Sequence, residues 1–308
     1  MNMGRVVILG VFVADTTFRA DRQPRLGETI LGRSFALGPG GKGSNQAVAA
    51  ARAGAEVHMI TRLGRDPFAD MARSLWTEAG VRPAVTEVDG ATGAAGIFVD
   101  AATGENAIVI CPGVAEGIAP ADLDAQAALI GGASIFATQL EQPLDAARRG
   151  LEIARDAGVR TLLNPAPAAS LPGGMLGLCD YVTPNETEAA ELTGLPVRSM
   201  DQAERAAEAL RKKGAGAVIV TLGAQGALYH DGARTMHLPA FDAGPVVETT
   251  GAGDAFNGGF AAALAAGADP VEAARWGCAT AALSVTRPGT AASMPDRAEI
   301  AALIGANG

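Results

Sequence analysis

Between residues 134 and 221 the chain alternates short β-branched apolar runs with stretches of helical period. Segments 134–138, 161–163, 181–183 and 217–221 read as strands, and 144–157, 186–193 and 202–213 read as helices between them. Successive strands separated by helices run parallel, because a parallel pair needs a crossover and a two-residue turn cannot supply one. A parallel sheet must be covered on both faces. The pattern therefore predicts an α/β fold: a central, mostly parallel sheet with helices on both faces.

The N-terminal third is less regular. Residues 6–13 read as a buried strand that opens on Val6-Val7-Ile8-Leu9 and contains Gly10. Residues 16–37, with Pro24, Gly27 and Gly32, mix polar and apolar positions like exposed strands. A helix over 44–53, a strand over 57–63 and a helix over 67–79 with Pro67 in its first turn follow. Segments 94–99 and 106–111 form a hairpin that pairs with the 16–37 excursion as a small separate sheet. A second hairpin joins 227–230 to 234–238, and helices over 254–266, 270–285 and 296–304 close the chain. No linker or repeat divides it, so residues 1–308 are expected to form one domain, with a β lid built from about 14–38 and 92–112. Open α/β sheets bind ligands at the carboxyl ends of their strands, which is where such a lid would lie.

Composition narrows the functional classes. With aromatics at 4% the core must be aliphatic. A net charge of −9 without a basic patch argues against nucleic acid as partner. Cys111, Cys179 and Cys278 are too widely spaced for a metal or disulfide framework, which suits a reducing cytoplasm. The apolar N-terminal run is too short for a signal peptide or membrane span.

The chemistry concentrates in a few glycine-rich corners. Thr249-Thr250-Gly251-Ala252-Gly253-Asp254-Ala255-Phe256-Asn257-Gly258-Gly259 places two glycines and a carboxylate at the start of a small-residue helix. A helix N-terminus behind a glycine loop offers free N–H groups and the positive end of the dipole to an anion. Asp254 fits a phosphoryl-transfer base there; a plain helix cap explains the same residue. Gly38-Pro39-Gly40-Gly41-Lys42-Gly43-Ser44-Asn45 is not a P-loop, since Gly43 follows Lys42 where Ser or Thr is required. It reads either as a turn entering a helix or as a backbone that closes on a polyhydroxyl ligand. Asn185 and Glu188 form a capping-box pattern, or face the strand ends and act through water on Mg²⁺. Thr221-Leu222-Gly223-Ala224-Gln225-Gly226 is a strand-to-hairpin turn, or lets a nucleotide approach the backbone. Glu141 and Asp15 each follow a strand, where a carboxylate can hold substrate hydroxyls. Residues 284–289 form a carbonyl-rich loop, either a helix-ending turn or a monovalent-cation site.

Taken together, Gly40-Gly41-Lys42-Gly43-x-Asn45, Thr183-Pro184-Asn185-Glu186-x-Glu188, Thr221-Leu222-Gly223-x-x-Gly226 and Thr250-Gly251-Ala252-Gly253-Asp254-x-Phe256-x-Gly258 resemble, in order and spacing, the motifs of the ribokinase (phosphofructokinase-B type) family of carbohydrate kinases. The resemblance spans essentially the whole chain. Gln139-Leu140-Glu141 and Asn164-Pro165-Ala166-Pro167-Ala168 resemble the ribose-phosphorylating members most. The resemblance implies that ATP phosphorylates the primary hydroxyl of D-ribose, giving ribose 5-phosphate and ADP. It makes Asp254 the base and Gly251, Ala252 and Gly253 the anion hole. Val13, Asp15, Gly41, Lys42, Gly43, Ser44, Asn45 and Glu141 would surround the sugar. Asn185, Thr221, Gly223, Gly226, Gly253 and Cys278 would bind ATP. Asn185 and Glu188 would organise Mg²⁺ through water, and Glu248, Thr250, Ser284, Arg287, Gly289 and Ser293 would surround an activating K⁺. The lid would also make a homodimer interface.

Two positions depart from the family pattern. Val13 stands where ribose kinases of this type have Asn, which removes a donor and acceptor and disfavours ribose by roughly 1–3 kcal/mol. Glu248 stands where Asp is more usual at the cation site. A related kinase for 2-deoxyribose, a ketohexose or a nucleoside is the alternative. A catalytically inactive sugar- or nucleotide-sensing protein is another, against which the intact Asp254 corner argues.

Overall fold

In the computed structural model, which describes residues 4–307, thirteen strands divide between two sheets. The early strands are β1 (Arg5–Leu9), β2 (Val13–Ala20), β3 (Ser34–Gly40), β4 (Glu56–Leu63), β5 (Val81–Glu87), β6 (Thr92–Asp100) and β7 (Asn106–Gly113). The later ones are β8 (Ile135–Thr138), β9 (Arg160–Leu163), β10 (Tyr181–Val182), β11 (Ala217–Thr221), β12 (Ala227–His230) and β13 (Thr235–Leu238). Nine form the central sheet in the order β13-β12-β11-β10-β9-β8-β1-β4-β5. The seven from β11 to β5 pair in parallel, and β12 and β13 are antiparallel at one edge.

Helices cover both faces, as the alternation requires. They are α1 (Lys42–Arg52), α2 (Pro67–Ala79), the short α3 (Pro120–Ala125) and α4 (Ala127–Gly131), α5 (Leu144–Asp156), α6 (Glu186–Thr193), α7 (Met200–Lys212), α8 (Ala252–Ala265), α9 (Pro270–Ser284) and α10 (Arg297–Ala306). Because side chains alternate along a strand, Val6 and Ile8 enter one apolar cluster with α1, α2, α8 and α9. Val7 and Leu9 enter the other with α3, α5 and α7. None of the described helices is long and apolar enough to cross a membrane.

The second sheet, in the order β3-β2-β6-β7, is the small sheet expected from the two early segments. The strand expected over 6–13 is instead two strands. β1 ends at Leu9 in the central sheet, and β2 starts at Val13 in the small one. Gly10 marks the break: a Cβ on Gly43 of α1 would sit 2.6 Å from Gly10 Cα, so neither position has room for a side chain. Strand β5 is not among the strands expected from the sequence: Pro83 argues against a strand interior, but β5 lies at the sheet edge, where proline is tolerated.

Candidate active site

The carboxyl ends of β1, β8, β10 and β11 converge on the N-termini of α1, α6 and α8. Helix α8 starts on Gly251, whose φ of +82° is a left-handed conformation. No side chain caps this helix end, and the space beside Gly253 is open. First-turn N–H groups lack intrahelical partners, so this end is a ready anion site. Asp254 is not the N-cap but lies in the first turn, buried at 6% exposure.

A close helix crossing brings its partners in. A Cβ on Gly258 would collide with Ala49 and with the α1 backbone at Gln46 and Ala50, so only glycine lets α8 lie this near α1. In consequence Asn45 Nδ2 donates to Asp254 Oδ2 at 3.0 Å, and Gln46 Nε2 donates to Asp254 Oδ1 at 3.0 Å. Burial pushes the Asp254 carboxyl above its usual range, opposed by Lys42 and these two amides.

The sugar-side residues meet at the start of α1. Gly41, the N-cap at φ +89°, has no room for a Cβ beside Val11 O. Lys42 N donates to Glu141 Oε2 at 2.7 Å. The Asp15 carboxylate packs over Gly40, where a Cβ would displace it. Burial raises Asp15 to about 6. It raises Glu141 to about 7, with the Lys42 charge and backbone N–H opposing. Burial works against the Lys42 ammonium, but Asp254, Glu141 and Glu188 outweigh it and hold its pKa above the usual value. One cation thus faces three carboxylates from three elements.

Asn45 Oδ1 is buried without a partner, an acceptor of the kind a ligand hydroxyl satisfies. Ser44 is different: fully buried, its hydroxyl accepts from Trp76 Nε1 at 2.9 Å, which ties α1 to α2. Val13, at 5% exposure, packs in the apolar cluster with Val11 and Ile60.

On the nucleotide side, Asn185 and Glu188 make a complete capping box. Asn185 Oδ1 accepts from Glu188 N at 2.8 Å, and Glu188 Oε2 accepts from Asn185 N at 2.9 Å. Burial raises the Glu188 carboxyl, against the Asn185 N–H. Asn185 bridges to Thr221, so both stand at neighbouring strand ends. Gly223 (φ +53°) has open space around it, whereas Gly226 (φ +90°) is confined by the backbone at Leu238–Ala240. Cys278 lies inside α9 in the core, its thiol pushed up to about 12 by burial.

Around the candidate cation loop, Glu248 Oε2 accepts from Gly289 N at 2.8 Å, and the N–H groups of Val247 and Glu248 both donate to Val285 O. The Ser284 and Ser293 hydroxyls donate to Ala281 O and Thr290 O, and Arg287 pairs with Glu299. Their side chains are thus engaged within the protein, and a cation there would meet backbone carbonyls with Glu248. Thr250 is exposed beside them. Thr290 Oγ1 donates to Pro39 O at 3.1 Å, joining this loop to strand β3 of the small sheet.

Among the described residues no group of three or more His, Cys, Asp or Glu could cage a metal. The Asn185 amide and the Glu188 carboxylate are a sparse donor set, of the kind that leaves an ion to phosphates and water. The sequence assigns no role to Gln46, nor to Gln139, Asn164, Thr183 and Asn257, which stand inside the motifs. For Gln46 the available signal is the polar run Ser44-Asn45-Gln46 opening an otherwise alanine-rich helix.

The family model of the pfkB family carbohydrate kinases matches residues 3–297. A Haemophilus influenzae ribokinase is 37% identical over 296 residues, covering 96% of each chain. A Salmonella typhimurium deoxyribokinase is also 37% identical, over 94% of this chain and 95% of its own. The structure of Arabidopsis thaliana ribokinase complexed with ribose and ATP superposes with a TM-score of 0.92 at 30% identity, covering 98% of both chains. With its sheet, small lid-like sheet and buried Asp254 corner, this chain belongs to the pfkB family of carbohydrate kinases and is a sugar kinase, a phosphotransferase with an alcohol acceptor.

Proposed function

We propose that the protein phosphorylates the primary hydroxyl of D-ribose with ATP, giving ribose 5-phosphate and ADP. The observation that carries this is Asp254: a buried carboxylate of raised pKa at an open helix N-terminus, beside Asn45 and Lys42. The carboxylate takes the proton of the 5-hydroxyl as it attacks the γ-phosphate. The N–H groups at Gly251, Ala252 and Gly253 stabilise the charge that gathers on phosphate. Asp15, Gly41, Lys42, Gly43, Asn45 and Glu141 hold the sugar, with Asn45 Oδ1 accepting one of its hydroxyls. Ser44 and Val13 act from behind, Ser44 through Trp76 and Val13 by shaping the apolar wall.

Asn185, Thr221, Gly223, Gly226 and Gly253 receive ATP, with Cys278 as packing beneath. Asn185 and Glu188 orient the water shell of Mg²⁺, which supplies charge neutralisation on the phosphates. Glu248, Thr250 and the backbone of Ser284, Arg287, Gly289 and Ser293 hold K⁺, tying the anion loop to the lid. The free Cys111, Cys179 and Cys278 suit a cytoplasmic enzyme.

A coupled ADP-release assay with D-ribose, 2-deoxyribose, a ketohexose and a nucleoside, in K⁺ or Na⁺ salts, tests the reading. D-ribose should give the highest kcat/KM, and K⁺ should exceed Na⁺. Val13 favours 2-deoxyribose as the second reading, because an apolar wall suits a missing hydroxyl; a higher kcat/KM for that sugar decides for it. Equal rates in both salts remove the cation, and no ADP release with any sugar leaves the sensing protein.

The small sheet supports a homodimer. Its register puts Phe18, Phe35, Leu37 and Val109 on one face, and all four are 45–69% exposed. Such an apolar face is stabilised by burial against a second copy. Sedimentation should show twice the chain mass, and Phe35→Glu should shift it to monomer. A monomeric wild type at micromolar concentration refutes the interface.

A further inference from the structure

Behind Asp254 lies a chain of uncharged polar side chains that the catalytic assignments do not use. Gln46 makes three hydrogen bonds and has no free donor. Its Nε2 donates to Asp254 Oδ1 at 3.0 Å and to Asn164 Oδ1 at 3.1 Å, and its Oε1 accepts from Gln139 Nε2 at 2.6 Å. Asn164 Nδ2 donates to Thr183 O at 3.0 Å, and Thr183 Oγ1 donates to Asn257 Oδ1 at 2.6 Å. Asn257 Nδ2 then donates to Gly253 O at 2.8 Å, so the chain returns to the residue before Asp254. All five side chains are buried, none above 6% exposure.

Burying this many amides is unfavourable unless they are satisfied, and apolar residues would fill the same volume at less cost; among these five side chains Gln139 Oε1 alone has no partner. We propose that Gln46 is a positioning residue for phosphoryl transfer: its amide, locked between Gln139 and Asn164, fixes the Asp254 carboxylate at the N-terminus of α8. The lock has a direction. Turning the Gln46 amide over would aim Oε1 at the oxygens of Asp254 and Asn164 and set Nε2 against Gln139 Nε2. Only the observed orientation presents a donor to the carboxylate. That donor favours the ionised, proton-accepting form of Asp254. The charged groups around Asp254 are Lys42 of α1, Glu188 of α6 and Glu141 after β8, with Asp15 of β2 beyond Glu141. Gln46 acts beside these, from within the protein rather than from the ligand side.

The inference rests on Asp254 as the base. Gln46→Met removes the donor with little change in volume. Its kcat should fall about 10- to 100-fold, part of the ~10²–10⁴-fold that general-base catalysis supplies. The KM values for sugar and ATP should stay within about twofold, because the lost interaction is not one with either ligand. The acid limb of the kcat profile should move up by about one pH unit, the worth of one hydrogen bond to a charged group. A merely structural glutamine would lower the melting temperature and leave that limb in place.

Gln139→Leu leaves Gln46 Oε1 without its donor, so the amide is held only through Asp254 and Asn164 and is less firmly fixed. It should lower kcat by about 3- to 10-fold, with a smaller upward move of the limb, and it carries the test where Gln46→Met does not fold. Wild-type kcat with an unmoved acid limb in a folded variant overturns the inference. So does a loss confined to the sugar KM. Asp254→Asn run alongside separates the two readings. If it retains turnover, the base assignment fails; if it is inactive while Gln46→Met matches wild type, only the positioning role fails.

Discussion

Asp254→Asn is expected to lower kcat by about 10²- to 10⁴-fold while ATP binds as tightly as in the wild type. The substitution keeps shape and volume but removes the group that accepts the proton. Burial already holds the Asp254 carboxyl above its usual pKa, which makes it a stronger base once ionised, and Lys42, Asn45 and Gln46 keep it ionisable. Both of its oxygens accept an amide N–H, so an Asn side chain must turn its NH₂ toward one of those donors. That disturbance is confined to the contact between α1 and α8. The nucleotide side, at Asn185, Glu188 and Thr221, is held by its own capping box and bridge. Turnover is read by ADP release and ATP affinity by calorimetry. A kcat within about twofold of wild type removes the base from the mechanism. A matching loss of ATP affinity would mean that Asp254 organises the site rather than reacts in it.

The corner around Asp254 was legible in the sequence because its signals are local. Two glycines, an acid and a small-residue helix announce an open helix N-terminus, and the Asn185–Glu188 spacing announces a capping box. Both are present. The alternation of strands and helices gave the parallel sheet for the same reason, since period and length belong to each segment alone. Contacts between distant segments were not legible. Gln46 lies 208 positions from Asp254 and 118 from Asn164, and nothing in its neighbourhood says which it meets. The break at Gly10 follows from close approach to Gly43, a tertiary constraint on what reads as an unbroken apolar run. Ser44 sits inside a motif that points at ligand, yet its hydroxyl serves Trp76. A motif therefore marks the place of a site more reliably than the direction of each side chain in it.

Glu141→Gln should separate function from stability at one position. Glu141 accepts from the Lys42 N–H, and its carboxyl is raised to about 7 by burial. A carboxyl whose pKa is higher folded than unfolded contributes stability that is fully present below the unfolded value, near 4.5, and lost as pH rises through 7. At pH 8 the ionised group therefore weighs against folding, by at most about 3 kcal/mol. Gln keeps the acceptor for Lys42 N and removes the charge, although Lys42 then loses one of its three carboxylates. A net gain of about 1–2 kcal/mol should raise the melting temperature by about 2–3 °C at pH 8 and hardly at all at pH 4. The same change removes a charged acceptor for sugar hydroxyls, so the sugar KM should rise about 10- to 100-fold. The ATP KM should not move. In the wild type, the sugar kcat/KM should fall as pH drops through 7, and that step should weaken in the variant. A melting gain that is equal at both pH values would show that ionisation of Glu141 is not its source. An unchanged sugar KM would show that the carboxylate does not face the sugar.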